Sequence, residues 1–407
     1  MKKLGKNYWL LWSGFTVSTL GTYLTLVIIN LYIYQVTGSP FMVGLFLLFK
    51  LIPAFFMGNL AGVLADKYDR RYLIIIADIT RAILIFSVIF LKGNIYPLYF
   101  IIFGIAICDR LYSSCLGGSI PNIAEKENIL SANSYLSAGR TIALVTGPML
   151  GGIFSSMNAY TTAFSIDAST YLFSALTVAV ISVKFQNASQ ERQKLSMWNG
   201  LKESYGFIIA RFGLMSIMLI RCLDAFGSSA LNVGFPIFSG QLKQFTPSIC
   251  YGLLYVAFGI GEMVGALYFA KLTFVSEKPA EVIIGWSTLF MALFFGLSFS
   301  GTTVYHAMFF MFLSAIMEGV TTVNYSTYIQ NSPDEIRGRI VGTSETLVWT
   351  SMGVGMFISG LIAERVNIVY VVQVFASLII IGCVVHLIYW WRRLALPLNH
   401  NITAQHE

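Results

Sequence analysis

The chain has 407 residues, 56% of them hydrophobic, 15% aromatic and only 11% charged, with a formal net charge of +7 and a mean hydropathy of +0.72. A soluble globular domain carries about 25% charged residues, so this composition excludes a protein that faces water on all sides. The positive charge does not indicate nucleic acid as a partner, because the basic residues fall in short loops between apolar segments.

Met1 to Lys6 is basic and leads into a run from Tyr8 to Ile33 that is too long for the apolar region of a signal peptide, so it reads as a retained first helix. Further apolar segments follow at 41–65, 72–91, 96–118, 132–155, 161–183, 213–238, 249–271, 281–300, 303–325, 341–363 and 368–391, beside the first at 9–33. Most span about 18–25 residues, the length a helix needs to cross a hydrocarbon core. The expected fold is therefore an all-α membrane protein with 12 transmembrane helices. Trp9, Trp12, Trp390 and Trp391 sit at the ends of the first and last segments, where amphipathic rings anchor at the headgroups.

Placing the N-terminus inside puts about 18 Lys and Arg residues in cytoplasmic loops and tails against about three outside, namely Lys92, Lys243 and Arg365. Both termini are then cytoplasmic. The longest polar interval, Lys184 to Arg211, divides the chain into a six-helix half at 1–184, a linker at 185–212 and a second six-helix half with a short tail at 213–407. Within the linker, Leu195 to Phe207 spaces its apolar residues like a helix lying on the membrane surface. The halves echo one another faintly, with Gly147-Pro-Met-Leu-Gly-Gly in the fifth segment against Gly353-Val-Gly in the eleventh.

The loop between the second and third segments reads Gly62-Val-Leu-Ala-Asp66-Lys67-Tyr-Asp69-Arg70-Arg71. Gly62 suits close helix packing, Asp66 suits the start of a neighbouring helix, and Arg70 suits a bidentate carboxylate contact. Such a cluster suits a latch between the two halves at the cytoplasmic end. The pattern resembles the loop hallmark of the major facilitator superfamily, G-x-L-A-D-[RK]-x-G-[RK]-[RK], with Asp69 where glycine is usual. In that form it is similar to the macrolide-efflux and drug-exporter branch. Leu51-Ile-Pro53, Asp78-Ile-Thr-Arg81, Ile120-Pro121 and Pro333-Asp-Glu-Ile-Arg337-Gly338-Arg339 extend the likeness. The resemblance implies two pseudo-symmetric six-helix bundles, alternating access, a small-molecule substrate and export in exchange for protons. It further implies the cytoplasmic membrane as location; a monomer is expected. Two family features are missing: Thr22 follows Leu20-Gly21 where relatives carry aspartate, and Arg110 comes later in the fourth segment than the usual arginine.

Gly147-Pro148-x-x-Gly151-Gly152 has two readings. It resembles the end of the family's antiporter motif, and it equally suits a packing kink. An ionisable group at mid-bilayer costs at least about 2.5–3.5 kcal/mol, so each needs a partner or a purpose. Asp109, Asp224 and Glu318 are the candidate proton-coupling carboxylates, because the resemblance places their helices around a central cavity. Arg221 with Asp224, and Asp78 with Arg81, are three apart and share a helix face, so each pair suits mutual neutralisation. Asp109 and Arg110 point about 100° apart, which leaves Asp109 without a partner on its own helix. Lys50 likewise needs a partner from elsewhere, and Asp167 and Glu345 lie nearer helix ends. Arg140 and Glu262 are expected at similar depth on facing helices and form a candidate pair between the halves. Tyr23 and Phe226 are candidate cavity aromatics.

The five cysteines lack metal or disulfide spacing, and HExxH, P-loop and GxSxG patterns are absent. No metal, cofactor or enzymatic activity is expected, and ATP is not the direct drive. A proton-coupled exporter of an amphipathic, drug-like or natural-product molecule is the leading expectation. A facilitator or importer of a small polar solute and a lysolipid translocator are the alternatives.

Overall fold

The computed structural model describes residues 4–91, 94–124, 128–181, 206–269, 279–332 and 334–395, leaving out the side chains of a few residues within them, among which are Asp66, Arg337 and Arg339. Twelve helical segments follow the predicted apolar runs: α1 (Lys6–Thr37), α2 (Pro40–Lys67), α3 (Arg70–Ser87), α4 (Tyr96–Ile123), α5 (Ile129–Ser156) and α6 (Tyr160–Val180). The second half contains α7 (Phe212–Ser239), α8 (Pro247–Val264), α9 (Ala280–Ser298), α10 (Val304–Gln330), α11 (Asp334–Ala363) and α12 (Ile368–Ala395). Ten of the helices are long and apolar enough by composition to cross a membrane. No strand occurs among the described residues. The expected surface helix at 195–207 lies almost wholly outside them.

Local chemistry sets the turns. Gly38 adopts φ 65°, a left-handed cap that ends α1. Ser39 then caps α2 by accepting the Met42 N–H, with Pro40 in its first turn, where the missing N–H costs nothing. Thr246 with Pro247, and Thr303, begin α8 and α10 in the same way. Asp69, the residue that departs from the family glycine, is the N-cap of α3 and accepts the Arg71 N–H at 2.9 Å. α7 is broken at Ser229 into two helices, and α8 ends in a π-helical turn at Gly265–Phe269.

The packing repeats with an offset of six helices. In the first half α1 packs on α5 and α6, α3 on α4 and α6, and α2 on α4. The second half has α7 on α11 and α12, α9 on α10 and α12, and α8 on α10. This is two pseudo-symmetric six-helix bundles. They meet mainly through α2 against α11 and α5 against α8, two crossings that the same pseudo-symmetry exchanges.

Both crossings are tightest at the end of the molecule far from the termini, and both are built from glycine. Gly44 of α2 lies against the backbone of Met356 and Gly360 on α11. Gly152 of α5 lies against the Ser248 carbonyl and Gly252 on α8, so a Cβ there would collide with backbone. Ser155 and Ser248 share a hydrogen bond of 3.0 Å, and Asn30 donates to Tyr251 at 3.2 Å across the same seam. Toward the termini α5 changes character: Asn133, Tyr135, Ser137 and Arg140 are exposed, whereas Gly147, Pro148, Gly151 and Gly152 are buried. The halves are sealed at the far end and parted at the end that bears the termini.

Candidate functional site

Each half carries a charged cluster built around one arginine, buried in the first half and half-buried in the second. In the first half Arg81 of α3 binds Asp78 one turn earlier and reaches Asp109 of α4 at 2.8 Å. Its guanidinium lies between the rings of Tyr112 and Tyr171, at 4.4 and 4.5 Å from their centroids. Asp78 is fully buried and its Oδ2 has no partner, while Asp109 is 28% exposed. Sequence spacing foretold the Asp78–Arg81 pair; the structure adds that Asp109, unpaired on its own helix, draws on the same arginine.

The second half has a similar cluster on a non-equivalent helix: Arg221 of α7 binds Asp224 on its own helix and Glu318 of α10 at 2.8 Å. Asp109 and Glu318 occupy matching helices, α4 and α10, at similar depth. Asp224 Oδ1 and Glu318 Oε2 are buried without hydrogen-bond partners. In each cluster two carboxylates draw on one guanidinium.

Arg221, Asp224 and Glu318 form part of the wall of a cavity of about 320 Å³ between α7, α10 and α11. It runs from Asp224 and Met352 at mid-depth to Gln330 and Val341 near the termini. Tyr325 and Trp349 supply its aromatic walls, and Glu345 accepts the Trp349 Nε1–H at 2.8 Å. Arg110, from α4 of the other half, places its guanidinium 5.5 Å from the Trp349 ring.

Several expectations change here. Phe226 stacks on Phe375 of α12 at 5.1 Å, inside its own bundle, and does not line this cavity. Tyr325 and Trp349 take that place, and the one legible signal was the one-turn spacing of Glu345 and Trp349. Tyr23 is half-buried where α1 meets Gly147 of α5. Asp167, although nearer a helix end, is 1% exposed and is held by the hydroxyls of Thr25 and Thr170. Arg140 is exposed on the parted side of α5, Glu262 is half-buried on α8, and no ion pair joins them. Lys50 makes no hydrogen bond or ion pair with any described residue.

The loop between α2 and α3 also reads differently once folded. Gly62 has no atom of the described residues within 4 Å of where a Cβ would project. Arg70 donates to the carbonyls of Ala65 at 3.0 Å and of Gly118 on α4, and Arg71 donates to the Ala179 carbonyl at the end of α6. Both arginines tie the loop to helix ends of their own half. Lys67 is exposed beside the Tyr68 ring, and the Asp66 side chain lies outside the described residues. α5 runs unbroken through Pro148; Gly147 and Gly151 receive α1, and Gly152 receives α8. The packing reading of that motif accounts for every one of these contacts.

Two six-helix bundles, sealed at one end around a charged cavity, define a major facilitator transporter. The same fold occurs in a point mutant of the nucleoside transporter NupG, with a TM-score of 0.78 over 94% of this chain and 99% of that one, at 13% identity. A family model described as transmembrane secretion effector matches residues 5–400, and the chain belongs to that family of multi-pass membrane transporters. Among curated relatives, macrolide efflux protein A of Streptococcus pyogenes is 20% identical over 371 residues, 89% of this chain and 90% of that protein. A putative bacilysin exporter, BacE, of Bacillus subtilis (strain 168) is 26% identical over 380 residues, 88% of this chain and 89% of that protein. The family and these relatives are transporters, not enzymes.

Proposed function

We propose that this protein is a secondary active exporter that moves an amphipathic drug-like or natural-product molecule across the cytoplasmic membrane in exchange for protons. One observation carries the reading: the Arg221–Asp224–Glu318 cluster, two acids on one arginine, lies on the wall of the cavity between α7, α10 and α11. A proton or a cationic group neutralises the surplus carboxylate, and the two compete for it. Competition for one charge is the physical basis of exchange. Asp109, shared with Asp78 on Arg81, is the equivalent acid of the first half. The names of the relatives, a macrolide efflux protein and a putative bacilysin exporter, support outward transport of natural products.

The excess of Lys and Arg in the loops on the termini side supports a cytoplasmic location for both termini. With that orientation the cavity faces inward and the glycine crossings form the outer seal. The chain works as a monomer whose halves, 1–184 and 213–407, rock about the cavity and are joined by the linker at 185–212. Rocking parts the glycine crossings and brings Arg140 toward Glu262 at the inner end.

The test is erythromycin or dye transport in inverted membrane vesicles with a pH-sensitive probe, comparing wild type with Glu318→Gln and Asp109→Asn. Substrate-triggered proton movement in wild type that disappears in Glu318→Gln supports exchange at the second-half cluster. Transport that survives collapse of the proton gradient sinks proton coupling and leaves a facilitator.

A further inference from the structure

The two walls of the cleft carry opposite unmatched charge. On the second-half wall, Glu345 accepts only the Trp349 N–H among the described residues. Asp224 and Glu318 share one arginine and keep one unpartnered oxygen each. On the first-half side, Arg110 has the face of Trp349 as its contact and no carboxylate within ion-pair distance among the described residues. Lys50, on the inward face of α2, is a second cation without a hydrogen bond or ion pair among the described residues, and Asp109, Arg110 and Asp167 are the charges that act on it. A ring face attracts a guanidinium, but far more weakly than a carboxylate does in a desolvated site.

Trp349 sits between the two sets. Its ring faces Arg110 and its N–H holds Glu345, so an acceptor for Arg110 and a donor for the acids meet at one indole. A ligand carrying only a cation satisfies the acids and is repelled by Arg110 and Lys50. One carrying only an anion meets the reverse. An uncharged ligand desolvates both walls and compensates neither.

We propose that the transported molecule is dipolar, with an acidic group held by Arg110 of the first half and an amine held by Glu345 and the Asp224–Glu318 carboxylates across the cavity. The substrate class is thus an amino-acid-like or peptide-like zwitterion with an apolar body that rests on Tyr325 and Trp349. This deepens the exporter reading and rests on it. Because the acid and the amine engage different halves, bound substrate links the bundles electrostatically, while a molecule with one charge engages one half alone.

The proposal is tested by equilibrium binding to the full-length protein in nanodiscs with three probes of one shape: the dipeptide phenylalanyl-leucine, its methyl ester and its N-acetyl form. The dipeptide is expected to bind at least about ten-fold more tightly than either blocked form. Arg110→Gln is expected to erase its advantage over the ester, Glu345→Gln its advantage over the N-acetyl form, and Arg110→Lys to preserve the ranking. Equal binding of ester and dipeptide to wild type, or no binding of any of the three, overturns the proposal without recourse to a variant. Proton-linked dye transport with no preference among the probes keeps the exporter reading and sinks the dipolar substrate. The expected ranking without proton-linked transport does the opposite.

Discussion

The glycine crossings at the far end offer the sharpest test of how the two halves move. At Gly152 a single added methyl would overlap the Ser248 carbonyl and stand 3.5 Å from Gly252 Cα. These are backbone atoms, so relief requires α5 and α8 to separate. Overpacking of this kind costs about 1–3 kcal/mol. In a form whose far end has opened, the helices no longer touch and the penalty vanishes. Gly152→Ala therefore shifts the balance between the two forms by about 5- to 150-fold toward the far end open. Double electron–electron resonance between spin labels at Met157 and Lys243, in a background lacking the five native cysteines, reads that opening directly. Gly62→Ala is the control, because a Cβ there meets no atom of the described residues within 4 Å. A Gly152→Ala distance distribution that coincides with the parent, in monodisperse protein, refutes the reasoning. An equal shift for Gly62→Ala refutes it as well.

Arg81→Leu leaves Asp78 and Asp109 without their cation, at a cost of about 3–5 kcal/mol. The expected result is loss of monodisperse protein on size exclusion, with recovery when Asp78→Asn and Asp109→Asn are added. Gly118→Ala drives a methyl to within 2.8 Å of the Arg70 guanidinium carbon. It should lower the thermal midpoint by displacing that side chain from the Gly118 carbonyl, and Arg70→Ala should then make the glycine substitution nearly neutral. Asp167→Asn keeps an acceptor for the Thr25 hydroxyl, whereas Asp167→Leu strands it at about 1–3 kcal/mol, while Thr170 keeps its bond to the Asp167 main-chain carbonyl. The leucine variant should unfold in milder denaturant than the asparagine variant, and equal stabilities would deny Asp167 this role.

Much of the architecture was legible in the chain because hydrophobic length is a one-dimensional property. The predicted segment at 368–391 became Ile368–Ala395, and the one at 96–118 became Tyr96–Ile123. Errors of a few residues arose where polar residues extend a helix past the apolar run, as in α11, which begins at Asp334 rather than near 341. Pairs one turn apart were equally legible: Asp78 with Arg81 and Arg221 with Asp224 follow from helical spacing alone. Asp69 was legible only as a departure from a pattern, and the fold gives the departure its use as an N-cap.

The sequence by itself determined the number of spans, the division into halves and the presence of charge within the membrane, since each follows from the transfer cost of residues along one helix. Only the tertiary structure decided which charges share a partner. Asp109 with Arg81, Glu318 with Arg221 and Arg110 over Trp349 join different helices, and the last joins different halves. The same holds for Phe226, stacked on Phe375, and for Gly152, whose neighbour is a carbonyl some hundred positions away. Helical periodicity specifies which face a residue takes on its own helix. What that face meets is set by how twelve helices pack around one another.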